Sequence, residues 1–479
     1  MIPDEMWKYL FAPESVAVIG ASNNPGSWGG RIMRHLLAPK NRPIYPVNPG
    51  YSEIMGLTAY SSVTEIPEPV EMAAIVVRAE LVPAALRECV QKKVPAALII
   101  SGGFRETGEQ GAKLEAEIVD IARSGGIRFI GPNTMGHLDA WSKLNTTSFV
   151  EEATPGNVAL LAQSGNMGTR IMSNAMRYGI GFSQFVCCGN EADIFLEDYL
   201  ENLAEEPHTK VIMLYIEGLR DAKRFMQIAK QISTRKPIVA LKSGGTKSSA
   251  RASKSHVGAI TGSDEVYTAA FKQAGVIRTY DDDELCDATV ALLNQPLPRG
   301  KKVGILTMGG GLGVVAAEAC ENEGLEIAEL EPSTLQKLDA LLPARWSHGN
   351  PVDLVGSNVA HSAEIMSTLW ILMADRNLDA VISNAWLGRI GRMPRFDDPA
   401  DIPEINSEAE LESIRQFRQQ VDKYGIPLLI VGSQPMFPHD LDAYTLFHKA
   451  GFTIYTQPQS AARTLRHLNW YRQYLETNG

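Results

Sequence analysis

The sequence predicts an α/β chain of three doubly wound domains, and three observations carry that prediction. One opening recurs three times: SVAVIGAS at 15–22, NVALLAQSG at 157–165 and KVGILTMGGG at 302–311. Each is a short run rich in Val, Ile and Leu that ends in Gly or Ser before a helix-like pattern. The first strand of a parallel sheet reads this way when both its faces are buried. Similar apolar runs then follow at helix-sized intervals, which implies right-handed strand–helix–strand crossovers. Lastly, 44% hydrophobic residues, 41 Gly and few aromatics suit a fold that spends glycine on strand-to-helix turns.

The strands are taken in order. After the first opening come PIYPVNP, MAAIVV, AALIIS and IRFIGPN; after the second, FSQFVCCG, VIMLYIEG and PIVALKSG. The third segment offers LEIAEL, DAVISNAW, IPLLIVG and FTIYT. Polar EEATPG and Pro-rich NQPLPRGKK mark the joints, giving expected domains at 1–150, 151–298 and 299–479. No run is long and apolar enough to suggest a membrane span. The N-terminus also lacks the cationic stretch and apolar core of a signal peptide.

Composition narrows the partners. A net charge of −10 argues against a general nucleic-acid binder. Five cysteines, odd in number and without metal-ligand spacing, read as free thiols in a reducing cytoplasm, and no metal site is expected. An anionic ligand therefore has to be held by local cations and backbone amides.

In open sheets of this kind, ligands sit beyond the carboxyl ends of the strands, so the turns there are the candidates. The first domain offers Gly20-Ala21-Ser22, Asn48 in PVNP, Ser101-Gly102-Gly103-Phe104 and Gly131-Pro132-Asn133. Small residues let a ligand approach the backbone, and the helix that follows presents free amides to phosphate. A plain dinucleotide fingerprint needs Gly where Ser22 stands, which disfavours a nicotinamide site. Together the turns read as a cleft for a large, partly phosphorylated ligand.

The second domain carries a basic stretch of small residues, 242–259, with Lys242, Lys247, Arg251, Lys254 and, near its end, His256 before Gly258. A neutral imidazole is a competent nucleophile toward an acyl phosphate when a third group orients it. Glu217, just past the apolar run VIMLYI, is the candidate for that group. Gln163-Ser164-Gly165-Asn166 opens a helix whose free amides favour a phosphate. Gly189-Asn190-Glu191 is a further strand-end candidate. The third domain's TMGGGLG and NPVDL are weaker signals, compatible with an anion site or with tight packing.

The GAS loop, the SGGF turn and GPNTMG resemble the CoA-binding domain of the succinyl-CoA synthetase superfamily, nearest to its ADP-forming acetyl-CoA synthetase branch. SHVGA resembles that family's phosphorylated-histidine motif, YIEGL the segment of its glutamate partner, and AQSG the helix start that cradles phosphohistidine. Val257 stands where many relatives carry Thr. The resemblance implies a Rossmann-like CoA-binding domain followed by two flavodoxin-like domains. It also implies a subunit of an NDP-forming acyl-CoA synthetase with His256 and Glu217 catalytic and Ser164, Gly165, Asn166 and Gly258 on phosphate. CoA would lie on Gly20, Ala21, Ser22, Asn48, Gly102, Gly103, Phe104 and Asn133. The chain has no Walker-type loop and no recognisable ATP-grasp module. In the superfamily it resembles, that module belongs to a second subunit or to an extended fusion, so the resemblance implies ADP or ATP with Mg²⁺ on an ATP-grasp β subunit in a heterotetramer, with a small carboxylic acid or its acyl-CoA as substrate. The alternatives are a CoA-thioester transferase or regulatory binder of the same superfamily, a nicotinamide-dependent enzyme, and a CoA-binding scaffold or sensor.

Overall fold

The computed structural model describes residues 2–149, 153–245, 264–354, 362–385, 407–432 and 438–479. The chain forms two compact units, Met1–Asp282 and Asp283–Gly479. Among the described residues the first holds two large sheets and a two-stranded ribbon, Glu53–Ile54 with Leu57–Thr58, and the second holds one sheet.

All three recurring openings become the first parallel strand of a sheet: Val16–Ile19, Pro155–Ala162 and Lys302–Thr307. In the first sheet, Val16–Ile19 lies between Ile44–Val47 and Met72–Ile75, and Ala96–Ile99 and Arg128–Ile130 follow outward, all parallel. In the second, Pro155–Ala162 lies between Phe182–Cys187 and Val211–Ile216, followed by Ile238–Lys242 and Val276–Thr279, again parallel. The third repeats the pattern with Glu326–Ile327 on one side of the opening strand and Ala380–Ser383, Leu428–Val431 and Ile454–Tyr455 on the other. Val352–Asp353 also pairs with its opening strand.

Each sheet therefore reverses winding direction beside its opening strand. That crevice is where an open α/β sheet presents a ligand site. Among the described residues the second sheet also takes up two short strands from upstream. His137–Asp139 pairs antiparallel with Phe182–Cys187, and Leu144–Asn145 pairs with His137–Asp139. Chain before residue 150 thus contributes to the second sheet.

The two sheets of the first unit share one apolar core. Val16, Leu98 and Ile130 from the first belong to the same buried cluster as Leu161, Val186 and Leu214 from the second. Burial of each such side chain stabilises the fold by about 1.5–3 kcal/mol. Polar contacts lock the seam. The Arg128 guanidinium and the Phe129 N–H both donate to the fully buried Asp193 carboxylate, at 2.7 and 3.0 Å. The N–H groups of Asn190 and Ala192 donate to the carbonyls of Pro132 and Gly131. The carboxyl ends of the two sheets consequently face a common space. No helix among the described residues is long and apolar enough to cross a membrane.

Candidate functional site

That space is a cleft of about 1970 Å³ within the first unit. Its walls come from the turns after four strands of the first sheet and three of the second, as expected where parallel strands end. Of the residues expected on a CoA-like ligand, Gly20, Ser22, Gly102 and Asn133 line it. Ser164, Gly165, Asn166 and Glu217, expected on the phosphoryl side, line the same cleft.

Glycine is required at the turn after Val16–Ile19. Gly20 has a φ of +95°, and a Cβ there would come within 2.5 Å of the Val76 carbonyl oxygen. The next helix, Trp28–Leu37, is capped by Ser27, whose hydroxyl accepts the Gly30 N–H at 3.1 Å. Four expected ligand residues stand behind the wall. Ala21 and Phe104 are fully buried. Asn48 donates from Nδ2 to the Ala21 carbonyl at 2.8 Å and so holds the loop. Gly103, with a φ of +112°, donates its N–H to Glu106 at 2.6 Å.

On the other side, Ser164 caps helix Gly165–Arg177, accepting the Met167 N–H at 3.5 Å. A Cβ at Gly165 would sit 2.2 Å from Cγ of Met135, so the first-sheet turn packs directly on this helix start. Glu217 follows strand Val211–Ile216, and its backbone is held at both ends. Its N–H donates to Oε1 of Gln163 at 2.6 Å, and its carbonyl accepts from Nζ of Lys242 at 3.0 Å.

His256 and Gly258 lie outside the described residues, as do Lys247, Arg251 and Lys254. Lys242, read from the sequence as one of that stretch's cations, is instead buried. Its ammonium is committed to the Glu217 and Ser243 carbonyls and stacks 4.5 Å over the Tyr267 ring. Burial, followed by the nearby Arg278 charge, lowers its pKa to about 8.

Sequence reading missed three arginines that the topology brings to the cleft: Arg78, Arg105 and Arg220. Arg105 and Arg220 both donate to the Asn190 carbonyl, the latter at 2.9 Å. Each follows a glycine turn within a few residues, in GGFR and EGLR, and that cation after the turn was the available signal.

A chain of hydrogen bonds links the two sides. The Gly103 and Phe104 amides donate to Oε1 of Glu106, and its Oε2 accepts from Nδ2 of Asn190 at 2.6 Å. Oδ1 of Asn190 in turn accepts from Asn133 at 3.2 Å. Burial pushes the Glu106 carboxyl up, but these donors outweigh it and hold the group below its ordinary range. The next residue, Glu191, is buried and has a φ of +51°. Its two oxygens accept from the Leu196 N–H at 2.9 Å and from Nε2 of Gln163 at 3.0 Å. Burial, with the Glu197 charge second, raises its pKa to about 8.

The geometry thus offers backbone amides, three guanidinium groups and a strand-end carboxylate around one large cleft. That set suits a ligand carrying several phosphates beside a phosphoryl-transfer centre.

Three family models match successive parts of the chain. Residues 14–139 match a CoA binding domain, 155–292 a succinyl-CoA ligase like flavodoxin domain, and 303–397 a ligase-CoA domain. The chain is 39% identical over 466 residues to the acetate–CoA ligase [ADP-forming] I subunit alpha of Pyrococcus furiosus, covering 95% of this chain and 96% of that one. It is 42% identical over 378 residues to subunit alpha of that organism's acetate–CoA ligase [ADP-forming] II, covering 79% and 82%. Against the acetate–CoA ligase [ADP-forming] of Methanocaldococcus jannaschii, 42% identical over 349 residues, the match spans about half that protein's length (49%). The structure of an acetyl-coenzyme A synthetase 1 from Ca. Korarchaeum cryptofilum in complex with phosphate and ADP superposes with a TM-score of 0.83 at 30% identity. That match covers 98% of this chain and 97% of the other.

Proposed function

The chain belongs to the ADP-forming acyl-CoA synthetase family, and from that membership we propose that it holds CoA in this cleft and carries the phosphoryl group on His256. It is a subunit of an acid–thiol ligase that interconverts acyl-CoA, phosphate and ADP with a carboxylic acid, CoA and ATP. The observation that carries the proposal is the shared cleft: the Gly20, Gly102 and Asn133 turns open onto the same space as Ser164, Asn166 and Glu217. Its volume of about 1970 Å³ is roughly twice the ~1,000 Å³ upper end for drug-sized ligands, which suits an extended cofactor plus an acyl phosphate.

Phosphate at the Ser164 helix start attacks the thioester carbonyl; the C–S bond breaks and free CoA leaves an acyl phosphate. A ring nitrogen of His256 then attacks phosphorus, the bond from phosphorus to the acyl oxygen breaks, and the carboxylate departs. Phosphohistidine passes its phosphoryl group to ADP on an ATP-grasp β subunit, where Mg²⁺ neutralises the polyphosphate charge. Glu217 accepts the imidazole N–H and fixes its tautomer. Arg78, Arg105 and Arg220 counter the charge of CoA and the moving phosphoryl group. The substrate is a small carboxylic acid or its thioester, and the assembly is a cytoplasmic heterotetramer. The five cysteines, all buried free thiols, accord with that compartment.

Incubating the chain and its partner with labelled ATP and Mg²⁺ tests the proposal. The label should be acid-labile and absent from His256→Ala. A His256→Ala protein that labels and turns over normally overturns the assignment.

A further inference from the structure

We infer that Gln163 is the positioning residue that fixes Glu217 against the Ser164 helix start, with Glu191 setting the orientation of its amide; the inference rests on the reading of Glu217 as the partner of His256. Gln163 is the first residue past strand Pro155–Ala162, and Ser164, the helix cap, follows it directly. Its own N–H still belongs to the sheet ladder, donating to the Tyr215 carbonyl at 3.2 Å. Its side chain then continues the ladder one step beyond the backbone.

Oε1 accepts from the N–H groups of Glu217 and Gly218, at 2.6 and 3.0 Å. Nε2 donates to the Gly218 carbonyl at 2.8 Å and to Oε2 of Glu191 at 3.0 Å. A primary amide offers two donors and one doubly accepting oxygen, and all of that capacity is used here. Leu at this position supplies none of the four bonds. Glu supplies the acceptors but no donor, and Asn is one methylene short.

Shape alone does not orient an amide, because its oxygen and nitrogen are nearly the same size. Here the partners decide it. Two N–H groups lie on one side, and a carbonyl and a carboxyl oxygen lie on the other. Glu191 is held for this task by its second bond, from the Leu196 N–H, and by its place inside the wall of the cleft.

One side chain therefore ties the Glu217 turn to the residue that begins the phosphate-side helix. Lys242 pins the Glu217 carbonyl from the neighbouring strand Ile238–Lys242, while Gln163 pins its N–H. A misplacement near 1 Å in such a pair costs about 100-fold in rate.

The test uses the full chain with its partner subunit, labelled ATP and Mg²⁺, and follows single-turnover phosphoryl uptake alongside kcat and KM for CoA. Gln163→Leu should slow uptake and kcat by about 30–100-fold with KM for CoA changed by less than about threefold. Gln163→Glu should be at least as slow, because two carboxyls then meet. Adding Glu191→Gln to Gln163→Glu returns one donor and one acceptor with the roles exchanged, and should recover about tenfold of the lost rate. A folded Gln163→Leu protein that labels at the wild-type rate overturns the inference, as does a double variant no faster than Gln163→Glu alone. A wild-type complex that takes no label at all overturns the phosphohistidine reading, and this inference falls with it.

Discussion

Two glycine-rich turns that look alike in sequence meet different surroundings. After Val16–Ile19, a Cβ at Gly29 would lie 2.1 Å from the Gly20 carbonyl oxygen, and one at Gly30 would lie 2.0 Å from that of Asn24. After Lys302–Thr307, among the described residues, a Cβ at Gly309 or Gly311 would meet nothing within 4 Å, and one at Gly310 the Asp353 carboxylate at 3.2 Å. The helices that follow differ in the same way. Trp28–Leu37 is capped by a serine side chain, whereas Gly310–Asn322 begins at Gly309 with no side-chain cap and exposes Leu312, Val314 and Val315. Glycine in the first turn is demanded by backbone packed on backbone. In the second unit the same letters meet no such backbone among the described residues. A glycine-rich turn in a sequence is thus a statement about space, and only the structure says what fills it.

The largest effect that sharpens this contrast is expected from Gly30→Ala. The contacting atom is a backbone oxygen and cannot swing away, so the loop or the helix must shift. A loss of about 3 kcal/mol or more, or failure to fold, should appear in chemical or thermal melts. A stable Gly30→Ala protein would erase the distinction between the two turns.

Buried carboxylates extend the comparison. In the second unit, Glu284 faces Arg463, Arg466 and His467 at 3.7, 3.4 and 2.7 Å. In the first, Glu191 is held by two uncharged N–H donors, and its pKa rises from 4.5 to about 8. The folded chain therefore keeps a proton between pH 4.5 and about 8 that the unfolded chain has released, and stability drains away as pH rises through that window. Glu191→Gln removes this dependence. Between pH 5 and 8 the melting temperature of the variant, relative to wild type, should move upward by several degrees. An unchanged gap would mean that Glu191 is already ionised at pH 5.

The smallest effect, of opposite sign, is expected at Gly311. It lies exposed in the first turn of helix Gly310–Asn322, with no described residue within 4 Å of an added Cβ. Gly311→Ala should stabilise the second unit by about 0.5–1 kcal/mol through helix propensity and a less disordered unfolded state. Thermal melts of the pair of variants at Gly30 and Gly311 would thus move in opposite directions.

The sequence made the sheets legible because parallel strands buried on both faces are nearly continuous in Val, Ile and Leu. SVAVI, NVALLA and KVGILT needed no partner to be read. Two short elements near the margins escaped for the opposite reason. His137–Asp139 and Val276–Thr279 are short, and each includes charged or titratable side chains at the margin of its sheet. The strand-end turns of the cleft were also legible, since topology puts them all on one edge. Arg105, Arg220 and the work of Gln163 were not. Their significance comes from bonds across neighbouring strands, such as Gln163 to Gly218 or Arg220 to Asn190, which no local pattern encodes. Lys242 was misread because a lysine beside a basic loop looks solvated until the strand that carries it is seen to be central.

The hydrogen-bond chain from Gly103 through Glu106 and Asn190, and on from Glu191 through Gln163 to Glu217, has a thermodynamic consequence. It joins the two ends of the cleft within a single unit, with the Asn190–Glu191 peptide as its covalent link, and is a route by which ligands at the two ends would be coupled. Whatever factor occupancy at one end adds to affinity at the other must be returned, undiminished, in the opposite direction. On the proposed function, the ratio of phosphate affinities with and without CoA should equal the ratio of CoA affinities with and without phosphate, and two binding titrations check it.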